Sequence, residues 1–317
     1  MNGTELKEQN KERLFLAIYN HKWLTVRQLG VVGWPNQSDE AQRVSALRFI
    51  RQNIDDGFLL DRSIRDVGGT IATLSRNGEK WMNDRGFSVM GGYRWGKFTE
   101  DGTWEPPSNY WHDFMTNEFL TVELNRKMKE ANEDKINSVQ YFIKLDENLV
   151  NYQHCNEREF RKASDKAQVP DGVFWDQGLY SNYGEGCLPA YFIEVESYRK
   201  TGKKMNRMIY ACLKRAAEFE NSIKIWRHPI EQASEKSSKL KFGEAATIFI
   251  YDANERDDRG FKLNHKKRLI SAFQRKFESG WSELLHNQTS FSIVFAPYDS
   301  ISRKFLEWED FEFEFAS

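Results

Sequence analysis

The chain has 317 residues, of which 39% are hydrophobic and 14% aromatic, so it can bury a sizeable core and is long enough for two domains. With 29% charged residues and a mean hydropathy of −0.72, it has no apolar run close to the ~18 to 20 residues that span a bilayer, so we expect no transmembrane helix. The polar first ten residues lack the apolar core of a secretory signal, and we expect a cytoplasmic protein. Three widely spaced cysteines argue against a disulfide framework.

The net charge of −1 conceals an uneven distribution of charged residues. Residues 199–278 carry 20 Lys and Arg against 10 Asp and Glu, whereas the C-terminal end is acidic. A basic segment of this size can follow the phosphate backbone of a nucleic acid. Charged helix faces that contact only solvent are common too, so both interpretations of the segment stay open.

The first part of the chain predicts a small helical module. Apolar residues ahead of Thr25 recur at the spacing of one helix face. Thr25 and Gln28 form a capping-box pattern for a second helix, and Ser38 is the expected N-cap of a third. We expect residues 58–64 and 70–74 to follow as two short strands joined by a glycine turn.

The third helix has a predicted apolar face and a predicted polar face. The residues of the expected buried face, which recur every three or four positions, are Ala41, Val44, Leu47, Ile50 and Ile54. Ser45, Arg48 and Gln52 then lie on the opposite, solvent-exposed face. Arg62 and Arg65 belong to the predicted hairpin.

Three helices followed by a two-stranded hairpin is the element order of a winged helix-turn-helix domain, which we place at residues 1–92. The exposed polar residues of the third helix can donate to base edges in the major groove of double-stranded DNA, and the two hairpin arginines can contact phosphate. A winged helix that binds protein, or one that is purely architectural, has similar surface residues, so these alternatives stay open. Residues 93–109, rich in Gly, Trp, Pro and Ser, predict a connector.

Residues 110–317 predict a second domain built on a mixed sheet, which makes the fold class α/β, of the α+β type. The predicted elements are a helix at 110–129, strands at 142–145, 172–175 and 191–196, a helix at 204–217, a strand at 246–251, a basic helix at 265–277 and a strand at 291–295. Helices that alternate with strands in this way pack on the faces of one sheet.

Three carboxylates lie on the two strands that a glycine-rich turn joins. Glu194 and Glu196 project to the same strand face, because side chains alternate with a period of two, and Asp171 lies on the neighbouring strand. Carboxylates in an apolar strand are costly to bury without a cation, and a group of two or three suits Mg²⁺ or Mn²⁺. Such an ion can activate a water or hydroxyl nucleophile and stabilise charge on a phosphodiester.

The blocks Pro170-Asp171 and Glu194-x-Glu196 resemble the motifs of the PD-(D/E)XK nucleases. The second motif of that superfamily ordinarily ends in lysine, whereas this chain has Glu196. Two explanations stay open. Either Lys200 or Lys203 supplies the missing cation, or Glu196 is itself a third metal ligand.

Together with the winged-helix pattern and the block Trp111-His112-Asp113-Phe114, these motifs resemble the replication-relaxation family and, within it, the MobC-type plasmid relaxases. The resemblance implies a bacterial, cytoplasmic DNA-nicking enzyme with a restriction-endonuclease-like core and a Mg²⁺ or Mn²⁺ cofactor. It implies double-stranded DNA at a transfer origin as the partner, with relaxosome accessory and coupling proteins. The catalytic residues it implies are His112, Asp171, Glu194 and Glu196, with Lys200 as a further candidate.

Several alternatives remain at this stage. His112 shares a helix face with Phe119 and Glu123 and can simply pack there as a half-buried residue. A tyrosine such as Tyr198 or Tyr110 can hold the cleaved DNA end covalently, although a metal-activated water would serve as well. The protein can also be a DNA-binding accessory or regulatory protein with an inactive nuclease-like domain, or an endonuclease that cuts both strands.

Overall fold

A computed structural model of the chain describes residues 3–87, 89–131, 154–156, 169–175, 187–197, 202–217, 223–224, 239–285 and 290–315. The chain divides into two units, one of residues 1–159 with 226–238 and the other of residues 160–225 with 239–317. The fold is mixed α/β, which confirms the fold class predicted from the alternation of elements. Within the described residues, no helix is long and apolar enough to cross a membrane.

The first unit begins with helices and a small antiparallel sheet. The helices are α1 (Gly3–Asn20), α2 (Val26–Gly33), α3 (Asp39–Asp55) and α4 (Arg76–Asn83). The strands are β1 (Leu24–Thr25), β2 (Leu59–Ile64) and β3 (Gly69–Leu74), in the sheet order β1-β3-β2. The three helices and the β2–β3 hairpin occur as predicted, whereas β1 and α4 were not predicted.

Local capping defines where α2 and α3 begin. The backbone N–H of Gln28 donates to Thr25 Oγ1 over 3.1 Å, and the backbone N–H of Thr25 donates to Gln28 Oε1 over 2.9 Å. This reciprocal pair is the predicted capping box, and it satisfies two N–H groups that a helix end leaves without partners. Ser38 accepts from the backbone N–H of Ala41 in the same role for α3.

Residues 92–105 fold onto the first unit, although their composition predicted a connector. They form a 3-10 helix (Gly92–Trp95) and the strands β4 (Lys97–Phe98) and β5 (Trp104–Glu105). Trp104 is buried, and its indole N–H donates to the carbonyl of Tyr93 over 3.3 Å. Gly92 packs against the backbone of Lys22, and a Cβ at this position would lie only 1.9 Å from the Lys22 carbonyl oxygen. Glycine here permits close packing, so its presence does not mark a flexible linker.

The next helical segment also belongs to the first unit. It consists of α5 (Tyr110–Glu118), a π-helical turn (Phe119–Glu123) and α6 (Leu124–Ala131). The side-chain amide of Asn117 donates to the carbonyls of His21 and Trp23 over 3.0 and 2.9 Å, and Lys22 pairs with Asp113 over 2.7 Å. The sequence assigned α5 to the second domain. Its buried polar contacts with the α1–β1 segment place it in the first unit instead.

The second unit contains a mixed sheet with helices against it. Its strands include β7 (Gly172–Trp175), β8 (Cys187–Val195), β10 (Lys239–Asp252), β11 (Ser290–Asp299), β12 (Lys304–Phe305) and β13 (Glu309–Glu314). The unit also contains the short strand β9 (Ile223–Lys224) and the helices α7 (Gly202–Ala217) and α8 (His265–Glu278). The short strand β6 (His154–Asn156) falls within the residue range of the first unit. Strands β8, β10 and β11 are parallel neighbours, while β7 pairs antiparallel with β8 and β13 antiparallel with β11.

The core of the second unit lies between this sheet and its two helices. The predicted core residues of α7 are all buried: Met205, Met208, Ile209, Cys212 and Leu213. Leu269 and Phe273 of α8 pack into the same cluster, as do Phe249 of β10 and Phe295 of β11. The predicted strand at 142–145 and the predicted turn at 178–186 lie outside the described residues.

The buried His21 makes the first unit sensitive to acid. Its Nδ1 lies 3.0 Å from Asn117 Oδ1, and because the amide nitrogen of Asn117 is the donor to two carbonyls, His21 is the donor in this pair. Burial lowers the pKa of His21 to about 4, and the Asn117 hydrogen bond only partly opposes this effect.

Between the ordinary pKa of 6.5 and about 4, the unfolded chain therefore binds a proton that the folded chain does not. The free energy of unfolding should fall by about 3 kcal/mol as pH falls through this range. Urea unfolding from pH 7 to pH 4 measures the loss. His21→Gln, which keeps a donor for Asn117 but does not titrate, should show a shallower dependence. Parallel curves for the two proteins would contradict this assignment.

Candidate functional site

The exposed side of α3 forms a shallow concavity of about 700 Å³. The residues that line most of it are Arg43, Val44, Leu47, Arg48, Arg51 and Gln52, with Asp55 and Asp56 at one end. Arg48 and Gln52 are exposed, as predicted, and Arg51 lies beside them. We call the residues Val44, Arg48, Arg51 and Gln52 the α3 face.

The predicted buried face of α3 is partly wrong. Val44 is 40% exposed, whereas the buried residues of the helix are Gln42, Ala46, Ile50 and Asn53. The amide of Gln42 donates to the carbonyl of Trp34 over 3.0 Å, and the amide of Asn53 donates to the carbonyl of Phe49 over 2.8 Å. Two hydrogen-bonded polar residues thus occupy the buried side, and the helix is rotated from the orientation that apolar spacing predicts. Ser45 is half-buried and donates to Gln37 Oε1 over 3.2 Å.

The two hairpin arginines differ in their surroundings. Arg65 is exposed beside the turn of the β2–β3 hairpin, where Gly68 and Gly69 have φ angles of 84° and 140°. Arg62 pairs with Glu105 over 3.3 Å, so it gives up a carboxylate partner if it contacts phosphate. Arg65 is therefore the better placed of the two for a nucleic-acid backbone.

Asp171 holds the end of the β7–β8 hairpin. Its backbone N–H donates to the carbonyl of Ile193 over 2.9 Å, and its Oδ2 accepts from the backbone N–H of Val195 over 2.7 Å. Glu196, just beyond β8, extends the ladder by donating its N–H to the carbonyl of Ile250 over 2.7 Å. The hairpin pairing predicted from the sequence is thus present, with Asp171 next to the strand that carries both glutamates.

Glu194 pairs with an arginine from α7. Arg215 Nη2 donates to Glu194 Oε1 over 2.5 Å, and the exposed fractions of these two side chains are only 8% and 10%. Burial, the largest single effect, lowers the pKa of Arg215, but the charges of Glu194, Cys212 and Asp171 and the hydrogen bond to Glu194 together outweigh it and raise the pKa. Arg215 is therefore a permanent cation close to two carboxylates.

Glu196 faces an arginine from α8. Its side chain is fully buried, and Oε1 lies 3.5 Å from Arg268 Nη1. Arg268 also approaches the carbonyl of Ser197 over 3.5 Å. Since α7 and α8 pack into one core cluster, Glu194 and Glu196 project to the same side of the sheet, in agreement with the period of two.

We call Asp171, Glu194, Glu196, Arg215 and Arg268 the carboxylate–arginine cluster. Among the described residues, no group of three or more His, Cys, Asp and Glu side chains is arranged to hold a metal ion. The carboxylates instead contact a backbone N–H and two guanidinium groups. As placed here, these residues do not fit a divalent ion with three carboxylate ligands, and the expected Mg²⁺ or Mn²⁺ stays a prediction from the sequence.

The other predicted site residues are spread over the chain. His112 is half-buried on α5 of the first unit, where its carbonyl accepts from the hydroxyl of Thr116 over 3.1 Å. Lys200 and Tyr198 lie outside the described residues, and Lys203 is exposed on α7. Tyr110, in the first unit, donates to Asp66 Oδ2 over 2.7 Å, and this hydrogen bond raises its pKa, which opposes formation of a phenolate nucleophile.

Sequence reasoning missed both arginines of the cluster. Arg215 lies three residues after the buried Cys212, at the border of the apolar face of α7. A basic residue at such a border usually extends to solvent. Arg268 is the fourth residue of a basic helix that predicted only a solvated or nucleic-acid-binding face. The sequence did indicate that two buried glutamates need positive charge nearby. Sequence reasoning attributed that charge to a metal ion, whereas the structure supplies it from arginines.

Comparison with known proteins gives no assignment. No protein-family model matches the chain, and no curated protein or solved structure matches it either. Function is therefore inferred from the positions and chemistry of the residues, and the resemblance of the Pro170-Asp171 and Glu194-x-Glu196 blocks stays an expectation from the sequence.

Asp171→Ala should lower the free energy of unfolding by about 1 to 3 kcal/mol, because the N–H of Val195 loses its acceptor inside the sheet. Asp171→Asn is the matched control, since it keeps an oxygen acceptor and loses only the charge, and its effect should be smaller. Urea unfolding of both variants at neutral pH measures the difference. Equal losses would mean that the charge near Arg215, and not the hydrogen bond, accounts for the contribution of Asp171.

Proposed function

We propose that the protein binds double-stranded DNA and that α3 enters the major groove. The observation that carries this proposal is the α3 face, which presents two exposed arginines, an exposed glutamine and an exposed valine on one side of a helix. Arginine matches the acceptors of guanine, glutamine matches adenine, and an apolar side chain matches the methyl group of thymine. The α3 face therefore has partners for several base pairs.

The elements around α3 support the same proposal. The helix is the third of three and is followed by an antiparallel hairpin, the element order of a winged helix-turn-helix. In such a domain the hairpin lies beside the DNA backbone, where the exposed Arg65 would contact phosphate. By the family resemblance, the DNA is a transfer origin in the bacterial cytoplasm, and relaxosome accessory and coupling proteins are further partners.

Arg48→Ala should reduce the preference for the cognate duplex over a scrambled duplex by about tenfold or more, because a base contact carries sequence discrimination. Arg65→Ala should change this preference less, since a phosphate contact contributes mainly salt-dependent affinity. Fluorescence anisotropy gives both affinities, with one duplex from the transfer origin of the plasmid or integrative element that encodes the protein and with a scrambled duplex.

Arg43→Ala is the matched control for Arg48→Ala. Arg43 also lies on α3, but both of its hydrogen-bonding arms engage Glu40, over 2.8 and 2.7 Å. We expect its removal to leave the preference unchanged. If Arg48→Ala and Arg43→Ala behave alike, or if the chain binds no duplex even at low salt, the proposed recognition helix is wrong.

Nicking of one DNA strand is a second candidate function, and the β7–β8 hairpin favours it. Asp171 and Glu194 lie at the end of this hairpin, which is followed along the chain by α7 and by β10, a strand parallel to β8. This order is consistent with the PD-(D/E)XK resemblance. Besides the buried Arg215, helix α7 carries four exposed Lys and Arg residues and no acidic residue, so its exposed side suits a DNA backbone.

Incubation with supercoiled plasmid that carries the element's own origin, with and without Mn²⁺ or Mg²⁺, tests this candidate. A relaxase should convert the plasmid to the open circular form, and Asp171→Asn should abolish the conversion while the protein stays folded. Linear product would indicate a double-strand endonuclease. If wild type leaves the plasmid supercoiled yet binds the origin, the protein acts as a DNA-binding accessory or regulatory protein.

A further inference from the structure

At the end of strand β8, an arginine of α7 already provides a positive charge for the carboxylates. The guanidinium of Arg215 binds Glu194 Oε1 directly, and Asp171 lies within electrostatic range of the same group. The ring of Phe192 lies 5.2 Å from the guanidinium carbon, so an aromatic face completes its surroundings. Arg215 is thus held by a carboxylate, a second negative charge and an aromatic ring.

Arg215 is poorly placed to serve any partner outside the fold. Its side chain is more than nine-tenths buried, and it belongs to the last turn of α7, whose neighbouring residues Cys212 and Leu213 are fully buried. A charge taken out of water in this way is tolerated only when opposite charges and hydrogen bonds compensate it. The compensation comes from Glu194 and Asp171, which are two of the three carboxylates that the sequence pattern assigns to a metal ion.

We propose that Arg215 takes the place of a divalent cation: its guanidinium is the positive charge that Asp171 and Glu194 hold in the folded chain. Arg215 contacts Oε1 of Glu194, an oxygen that would otherwise be available to a metal. A second cation at that oxygen would be repelled by the guanidinium at close range. The β7–β8 hairpin is therefore joined to α7 without a metal, and Mn²⁺ binds at Asp171 and Glu194 only after the charge of Arg215 is removed.

Mn²⁺ binding to the full chain, measured by isothermal titration calorimetry, tests the proposal. Wild type and Glu194→Gln should bind Mn²⁺ equally, because Glu194 holds no metal in either. Arg215→Gln removes the charge and keeps a shorter polar side chain with a hydrogen-bond donor, and we expect it to bind Mn²⁺ at least about tenfold more tightly than wild type. The gain should disappear in the double variant Arg215→Gln with Glu194→Gln.

Arg215→Lys is the matched control, because it keeps a cation at the same position and should gain no Mn²⁺ affinity. Arg215→Ala should unfold at a lower temperature in EDTA and regain part of its stability in Mn²⁺, since the ion then compensates the carboxylates. If Arg215→Ala does not fold, Arg215→Gln decides the question alone.

Two results would overturn the proposal. One is a wild-type protein that binds Mn²⁺ at a site lost in Glu194→Gln, and the other is an Arg215→Gln protein that binds Mn²⁺ no better than wild type. Neither result bears on DNA binding by the α3 face, which lies in the other unit of the chain. Failure of this proposal is therefore distinguishable from failure of the proposed DNA binding. The proposal is an alternative to metal-dependent nicking at the same carboxylates, so nicking by wild type that requires Mn²⁺ and is lost in Asp171→Asn would also contradict it.

Discussion

Burial of carboxylates on a central strand is the constraint on which the second unit depends. Strand β8 lies between β7 and β10, and helices α7 and α8 pack on the sheet face that carries Glu194 and Glu196, so these two side chains have little access to water. A buried carboxylate needs a cation or several hydrogen bonds, and the chain supplies one arginine from each of the two packed helices. The same contacts that neutralise the strand also join α7 and α8 to the sheet.

Buried polar groups organise the first unit in a comparable way. Asn117 uses its amide to satisfy two backbone carbonyls at the end of α1, and Glu118 accepts from the amide of Gln28 over 3.0 Å. Each group would be costly to bury without its hydrogen-bond partner. These hydrogen bonds therefore fix the position of α5 more tightly than apolar packing alone would. The aromatic core around Phe15 provides buried apolar surface, and the hydrogen-bonded amides fix how the elements align.

The elements that the sequence predicted correctly are those with local signals. The capping box at Thr25, the N-cap at Ser38 and the apolar stripe of α7 depend on residues within a few positions of one another, and the structure contains each of them. The β7–β8 hairpin and the shared face of its two glutamates follow equally from strand periodicity. Residues that are close in sequence were sufficient to predict these elements.

The features that were missed depend on contacts distant in sequence. Gln42 and Asn53 are polar, so no apolar pattern identifies them as the buried side of α3. Arg215 meets Glu194 across 21 positions, and periodicity alone gives no reason to prefer it over a metal ion as the compensating charge. No strand was predicted in the acidic C-terminal end, yet Phe311 and Phe313 alternate with its carboxylates and pack as strand β13.

The burial of the Arg215–Glu194 pair has a practical consequence for handling the protein. Mobile ions screen exposed charges over roughly 10 Å at 0.1 M salt, but they screen a buried pair much less. Contacts between exposed arginines and DNA phosphates weaken steeply as salt rises. Concentrated salt can therefore strip co-purifying nucleic acid from the surface while the interior ion pair keeps the second unit intact.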